Sequence, residues 1–184
     1  VQIQGVCQHH DLGALGAAFN YRAAQRQLEM LQEMGCNAIR ISHNPPAPEL
    51  LDLADEMGFL VMDETFDGWE MAKNPLDFHL IFPDWHEQDV RALVRRDRNH
   101  PSVILWSLAN EVGEQHIEGS GAAIARRLGE IVHEEDATRA TTSGMNFATP
   151  DMALPAALDV IGINYQGEGM RQQPEFEGTK RIRR

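Results

Sequence analysis

The chain has 184 residues, 42% of them hydrophobic and 24% charged, which is enough apolar material for one domain with a substantial core. With 16 Lys+Arg against 28 Asp+Glu, the formal charge of −12 repels phosphate backbones and anionic membrane surfaces, so neither nucleic acid nor a membrane is an expected partner. No apolar run approaches the roughly 20 residues that span a bilayer, and the two cysteines, Cys7 and Cys36, read as buried free thiols rather than a disulfide framework.

In chain order, short apolar runs predict about six strands: Gln4 to His9, Ala38 to Ser42, Leu60 to Asp63, Val103 to Ser107, Ala140 to Ser143 and Val160 to Asn164. The opening Val-Gln-Ile-Gln-Gly-Val, which runs into the first of these, reads as a strand, not a signal peptide. After it, Ala24, Leu28 and Leu31 share a helical face between an Asn20 N-cap and a Gly35 stop. Pro48 opens the second helix, with Leu50, Leu51, Ala54 and Met57 apolar and Gly58 ending it. Asp84 with Glu87 resembles a capping box ahead of Val90, Leu93 and Val94. Ile124, Ala125, Leu128, Ile131 and Val132 form the stripe of a fourth helix. Strand and helix alternate, and the strands are continuously apolar, which implies a parallel sheet covered by helices.

The strands end in reactive clusters: His9-His10-Asp11, Ser42-His43-Asn44, Asp63-Glu64, Asn110-Glu111 and Asn164-Tyr165. Chemistry at the C-terminal ends of many successive strands is the arrangement of a (β/α)8 TIM barrel, whereas a doubly wound sheet concentrates it near one switch point. No GxGxxG or GxxxxGK[ST] supports a nucleotide site. About six strands are fewer than the eight that close a barrel, so the expected fold is α/β and incomplete, with residues 1–184 as one partial barrel domain. The unpaired edges of such a barrel offer a surface for association into a homo-oligomer.

Ile104 to Glu111 is the most informative segment, because a hydrophobic strand delivers an amide and a carboxyl to its C-terminal edge. Glu111 there would serve as a general acid, and an apolar wall such as Trp106 would help keep a proton on it near neutral pH. The competing reading is a Glu that caps the following helix. His9, His10 and His43 with Asp11 raise a metal hydrolase as the alternative class, but adjacent strand residues point to opposite faces, so His9 and His10 cannot both turn inward. Glu64 is expected to anchor Arg40 inside the barrel, Asp63 to bind loop amides, and Glu168, between two glycines, to lie in an exposed loop. His79, His86, His100, His116 and His133 read as solvated groups, and Arg91, Arg95, Arg96 and Arg98 as a salt-bridged helix face.

Four segments in order, Gly5 to Asp11, Gly35 to Pro46, Gly58 to Glu64 and Arg96 to Glu111, resemble the signature segments of family 2 glycoside hydrolases, and the resemblance runs to about Tyr165. It implies a retaining exo-enzyme acting on a terminal β-linked sugar. Glu111 matches the acid/base, Asn110 the residue that binds the sugar 2-hydroxyl, and His9 the histidine on sugar hydroxyls. Arg40 matches an arginine beneath the catalytic carboxylates, His43 a substrate-pocket position, and Tyr165 a tyrosine that orients the nucleophile. The His-His-Asp and His-Asn-Pro-Pro segments are most similar to the β-galactosidase branch, ahead of β-glucuronidase and β-mannosidase; a non-catalytic carbohydrate-binding remnant is the alternative from another class. Asp63 to Trp69 lacks the Glu-x-His through which some relatives bind magnesium, so no metal or other cofactor is expected. The family's nucleophile follows a seventh strand, which would begin near Thr179, so the nucleophile is expected to be missing.

Overall fold

The computed structural model describes residues 2–149, 152–165 and 181–182. Seven strands form one sheet in sequential order, each parallel to the next: β1 (Gly5–His9), β2 (Ala38–Ser42), β3 (Leu60–Glu64), β4 (Val103–Asn110), β5 (Ala140–Met145), β6 (Ile161–Ile163) and β7 (Arg181–Ile182). Among the described residues, five α-helices lie in the connections from β1 to β6: α1 (Tyr21–Glu33), α2 (Pro48–Met57), α3 (Phe82–Asp97), α4 (Ser120–Glu135) and the one-turn α5 (Ala153–Ala156). Parallel strands in sequence order with intervening helices make an open portion of a (β/α)8 barrel, as the alternation of patterns predicts. No helix among the described residues is long and apolar enough to cross a membrane.

The helices begin and end for local reasons. The Asn20 side chain accepts from the Ala23 amide at 3.0 Å and caps α1. Gly58, at φ 76°, supplies the left-handed residue that closes α2. The capping box expected at Asp84 and Glu87 does not form: α3 starts two residues earlier, with Pro83 in its first turn, and Glu87 instead accepts from Arg91 and Arg127.

Alternation along each strand sorts the residues into two faces. Ile39 and Ile41 on β2, Val61 on β3, and Trp106 and Leu108 on β4 meet the buried stripes of the helices, including Leu28, Leu51, Val90, Val94, Leu128 and Val132. Each such side chain contributes about 1.5–3 kcal/mol by leaving water. Arg40, Glu64 and Ser107 lie on the other face and point into the barrel, where they bond one another. Backbones approach closely at Gly162, where a Cβ would stand 2.4 Å from the Ser143 carbonyl oxygen, so β6 needs glycine there to pair with β5.

Two expectations fail at the surface. Cys7 is exposed, because it occupies an interior-facing position on the edge strand β1 of an open barrel. The histidines outside the strands are mostly partnered: His79 with Asp77 (2.5 Å), His86 with the Phe82 carbonyl (2.8 Å), His100 with Asp55 (2.6 Å) and His133 with Asp159 (2.9 Å).

Candidate active site

The C-terminal ends of β1 to β4 and β6 bring their polar residues to one rim. Glu64, wholly buried at the end of β3, is the hub: it accepts from Arg40 Nε at 2.8 Å and from Arg40 Nη2, from Ser107 Oγ at 2.5 Å, and pairs with His43 Nδ1 at 2.6 Å. Arg40 continues to Asn110, donating from Nη2 to Oδ1 at 3.1 Å. The Asn164 amide then donates to the same Asn110 oxygen at 3.0 Å and to Glu111 Oε1 at 2.5 Å. His43, Glu64, Arg40, Asn110, Asn164 and Glu111 therefore form one connected network. The expected anchoring of Arg40 by Glu64 is what the side chains do. The arrangement is legible in the register, which sets Arg40 on β2 beside Met62 on β3, two residues before Glu64.

Glu111 is half-buried and leaves the strand with φ 48°, in the left-handed region. That conformation costs an L residue roughly 1–2 kcal/mol. It is held there by its own amide, which donates to the Gly144 carbonyl on β5 at 2.6 Å, and by Asn164 at its carboxyl. The register between β4 and β5 shifts between Ser107 and Asn110, a bulge-type irregularity that re-aims the end of the strand. No helical cap is formed by Glu111: the turn that follows runs from Gly113 to His116, and α4 starts at Ser120.

The remaining sequence candidates take varied places. His9 is exposed at the end of β1, its ring 5.2 Å from that of His43 and nearly perpendicular to it. His10 turns away to the Asn44 carbonyl at 3.1 Å, and burial holds its ring below the usual histidine range against that bond. Among the described residues no group of three or more His, Cys, Asp or Glu has the geometry to hold a metal. Tyr165 follows β6 on the same rim, with φ 65° and 87% of its surface exposed. Trp106 is a correction. It lies on the helix-facing side of β4, its indole donates to Asp136 at 3.0 Å and Arg139 stacks over its ring, so it is not a wall of the Glu111 site. Glu168 lies outside the described residues.

Asp63 is a second correction. It faces the helices, fully buried, and neither carboxyl oxygen has a hydrogen-bond partner among the described residues. Burial first, and then the neighbouring Asp97 carboxylate, push its carboxyl well above the usual range. Asp97 is itself forked to Arg96, with both contacts at 2.6 Å.

Sequence reasoning missed Asn164 as a partner of Glu111 and missed Lys73 and Asp67 altogether. Lys73 Nζ donates to the Asn110 carbonyl at 2.6 Å and to Asp67 Oδ1 at 2.8 Å, and Asn110 Nδ2 reaches the same Asp67 oxygen at 3.3 Å. Both residues come from the irregular connection between β3 and α3, where no periodicity marks them.

Fold and rim together define part of a (β/α) barrel with a carboxyl presented at the mouth of its fourth strand. The family profile described as "Glycosyl hydrolases family 2, TIM barrel domain" matches residues 1–177, and the chain belongs to that family. It is 43% identical over 205 aligned residues to the β-galactosidase BoGH2A of Bacteroides ovatus, covering 94% of this chain and 24% of that protein. It is 35% identical over 164 residues to the human β-glucuronidase, covering 87% of this chain and 24% of that enzyme. Among solved structures, a glycosyl hydrolase family 2 member from Bacteroides cellulosilyticus superposes with a TM-score of 0.87 at 39% identity, over 98% of this chain and 23% of that one. A β-glycosidase from Bacteroides vulgatus gives 0.81 at 40% identity, over 91% and 20%. The chain thus spans about a quarter of the length of these two curated relatives.

Proposed function

We propose that these residues carry the acid/base half of the active site of a retaining exo-β-galactosidase. The observation that carries the reading is Glu111 at the mouth of β4, with Oε1 held by Asn164 and the preceding Asn110 fixed to Arg40. A carboxyl so placed can give its proton to a leaving glycosidic oxygen and afterwards take one from water. In the double displacement that retention requires, a second carboxylate attacks the anomeric carbon as Glu111 protonates the departing oxygen, and water then releases the sugar with Glu111 as base. Asn110 is assigned to the sugar 2-hydroxyl, His9 and His43 to other hydroxyls, and Tyr165 to the nucleophile, which itself lies outside the described residues. Galactose is the assigned sugar because the His9-His10-Asp11 segment resembles that branch and a β-galactosidase is among the most similar relatives; glucuronate and mannose are the competing assignments.

The test uses the whole-barrel protein, in which this chain is continued to the length of its relatives. Aryl β-galactosides should be turned over in preference to the matched β-glucuronides and β-mannosides. Glu111→Gln should lower hydrolysis of an unactivated disaccharide by about 10²- to 10⁴-fold while sparing the first step on activated aryl glycosides, which need no protonation. Unchanged turnover of the disaccharide would assign the role elsewhere.

A further inference from the structure

The connection between β3 and α3 does more than link two elements: it caps the backbone of β4 where that strand breaks register with β5. Thr65 Oγ1 donates to the carbonyls of Ser107 (3.2 Å) and Leu108 (3.0 Å), and Trp69 Nε1 donates to Leu108 at 3.1 Å. Lys73 is the last member of this series, and its acceptor is the carbonyl of Asn110 at 2.6 Å. That carbonyl belongs to the peptide that joins Asn110 to Glu111. An ammonium bonded to a carbonyl is a charge-assisted contact, stronger than a neutral one. Here it fixes the plane of the one peptide whose rotation would swing the Glu111 side chain, and Glu111 leaves that plane at φ 48°.

The position of Lys73 is itself set from both sides. Asp77 Oδ2 accepts from the amides of Lys73 (2.8 Å) and Asn74 (2.7 Å); these amide bonds, the one from Asn74 foremost, with help from His79, hold the Asp77 carboxyl well below the usual range. Two residues earlier, the Met71 amide donates to Glu114 Oε1 at 2.7 Å, and Glu114 is buried three positions beyond Glu111. Asp67 completes the clamp, because one of its oxygens takes both the Lys73 ammonium and the Asn110 side-chain amide. Backbone and side chain of Asn110 are thus fastened to one loop, with Lys73 as the cation that loop contributes and Arg40 bonding the side chain from β2.

We infer that Lys73 is a positioning residue for the acid/base: it holds the Asn110–Glu111 peptide so that the Glu111 carboxyl meets the leaving-group oxygen. This rests on the reading of Glu111 given above. A displacement of about 1 Å in a reacting group can cost on the order of 10²-fold, so loss of the ammonium should be felt in leaving-group protonation above all. A lysine that merely stabilised the loop would depress all substrates alike.

The experiment is a series of aryl galactosides of decreasing leaving-group acidity, with a disaccharide at its end, run on the whole-barrel protein, Lys73→Met, Glu111→Gln and the double variant. Lys73→Met should lose about 10- to 100-fold in kcat/KM, which reports the first step alone, on the disaccharide and less than about threefold in kcat/KM on the most activated aryl substrate. In the Glu111→Gln background the same substitution should change no rate by more than about twofold, since there is no acid left to position. Equal loss across the series, or a full effect of Lys73→Met in the absence of Glu111, would overturn the inference while leaving Glu111 as the acid. A Glu111→Gln protein with no leaving-group dependence would overturn the reading beneath it and the inference together. Should Lys73→Met not fold, Lys73→Gln, which keeps an N–H donor on a shorter side chain, is judged by the same slopes.

Discussion

Glu64 has no exposed side-chain surface, and its two oxygens are taken up by Arg40, His43 and Ser107. Removing one member of a buried ion pair costs about 3–5 kcal/mol, because the partner's charge stays behind without compensation. Arg40→Met should therefore lower the unfolding free energy of the chain by about that much in urea. A loss below about 1 kcal/mol would mean that His43 and Ser107 suffice for the Glu64 carboxylate. One residue earlier on the strand, Asp63 turns to the opposite face and has no such compensation. Its raised carboxyl binds a proton more tightly in the folded than in the unfolded chain. The associated stability is thus fully present below the ordinary carboxylate pKa and is lost as pH rises through the folded-state value. Asp63→Asn keeps the shape without a titrating proton, so its stability relative to the parent should improve as pH rises above the ordinary carboxylate range of about 4. Urea midpoints that differ by a constant amount as pH rises would rule this out.

Between elements, the C-terminal halves of α3 and α4 are joined by charge. Arg91 contacts Glu134 and Glu135 at 2.6 and 2.9 Å, Arg95 contacts Glu135 at 2.6 Å, and Arg98 bonds the Glu135 carbonyl at 2.6 Å. Hydrogen bonds from Arg95 and then Arg91 draw the Glu135 carboxyl down from 4.5 to about 2. A lowered carboxyl contributes stability that is present above its ordinary value and lost as pH falls toward the folded one, so Glu135→Gln should flatten the acid limb of the stability curve between about pH 4.5 and about pH 2. Salt near 1 M should shrink the difference, since such partly exposed pairs are screened. An acid limb unchanged in the variant would show that the clamp is electrostatically silent. Of the four arginines expected on a salt-bridged helix face, Arg91, Arg95 and Arg98 recur at helical spacing and form it, whereas Arg96 turns to the buried Asp97; the partners on α4, some 40 residues away, carried no signal of their own. The same division runs through the site. Glu64 and Asn110 sit at the ends of apolar runs and Arg40 in the middle of one, and their pairing follows from adjacent parallel strands. Asn164 and Lys73 reach Asn110 and Glu111 through tertiary closure, 54 and 37 residues from Asn110 along the chain, where periodicity has no bearing. Trp106 was misjudged on proximity in sequence, although strict alternation from Ser107, which bonds Glu64, already puts it on the other face.

At the scale of the molecule, the described strands leave the barrel open, with β1 and β7 as the outer members of the sheet. Retention needs two carboxyl groups about 5 to 5.5 Å apart across the scissile bond, one to attack and one to donate. Glu111 is the donor in the function proposed above. Glu64 cannot be its counterpart, because its oxygens are committed to Arg40, His43 and Ser107 beneath the rim. Asp67, another acid on that side, is held by Lys73 and Asn110. Opposite Glu111 a closed barrel would supply strand ends beyond β6, and the residues described there offer no free carboxylate: Asn164 is already bonded to Glu111, and Tyr165 has no acidic group. The 184-residue chain by itself is therefore expected not to turn over an aryl β-galactoside, even though it carries the proposed acid/base. Purified chain and its Glu111→Gln variant should both be silent in that assay. Turnover by the parent that the variant loses would show that a nucleophile lies within residues 1–184, with Glu168 the first position to substitute.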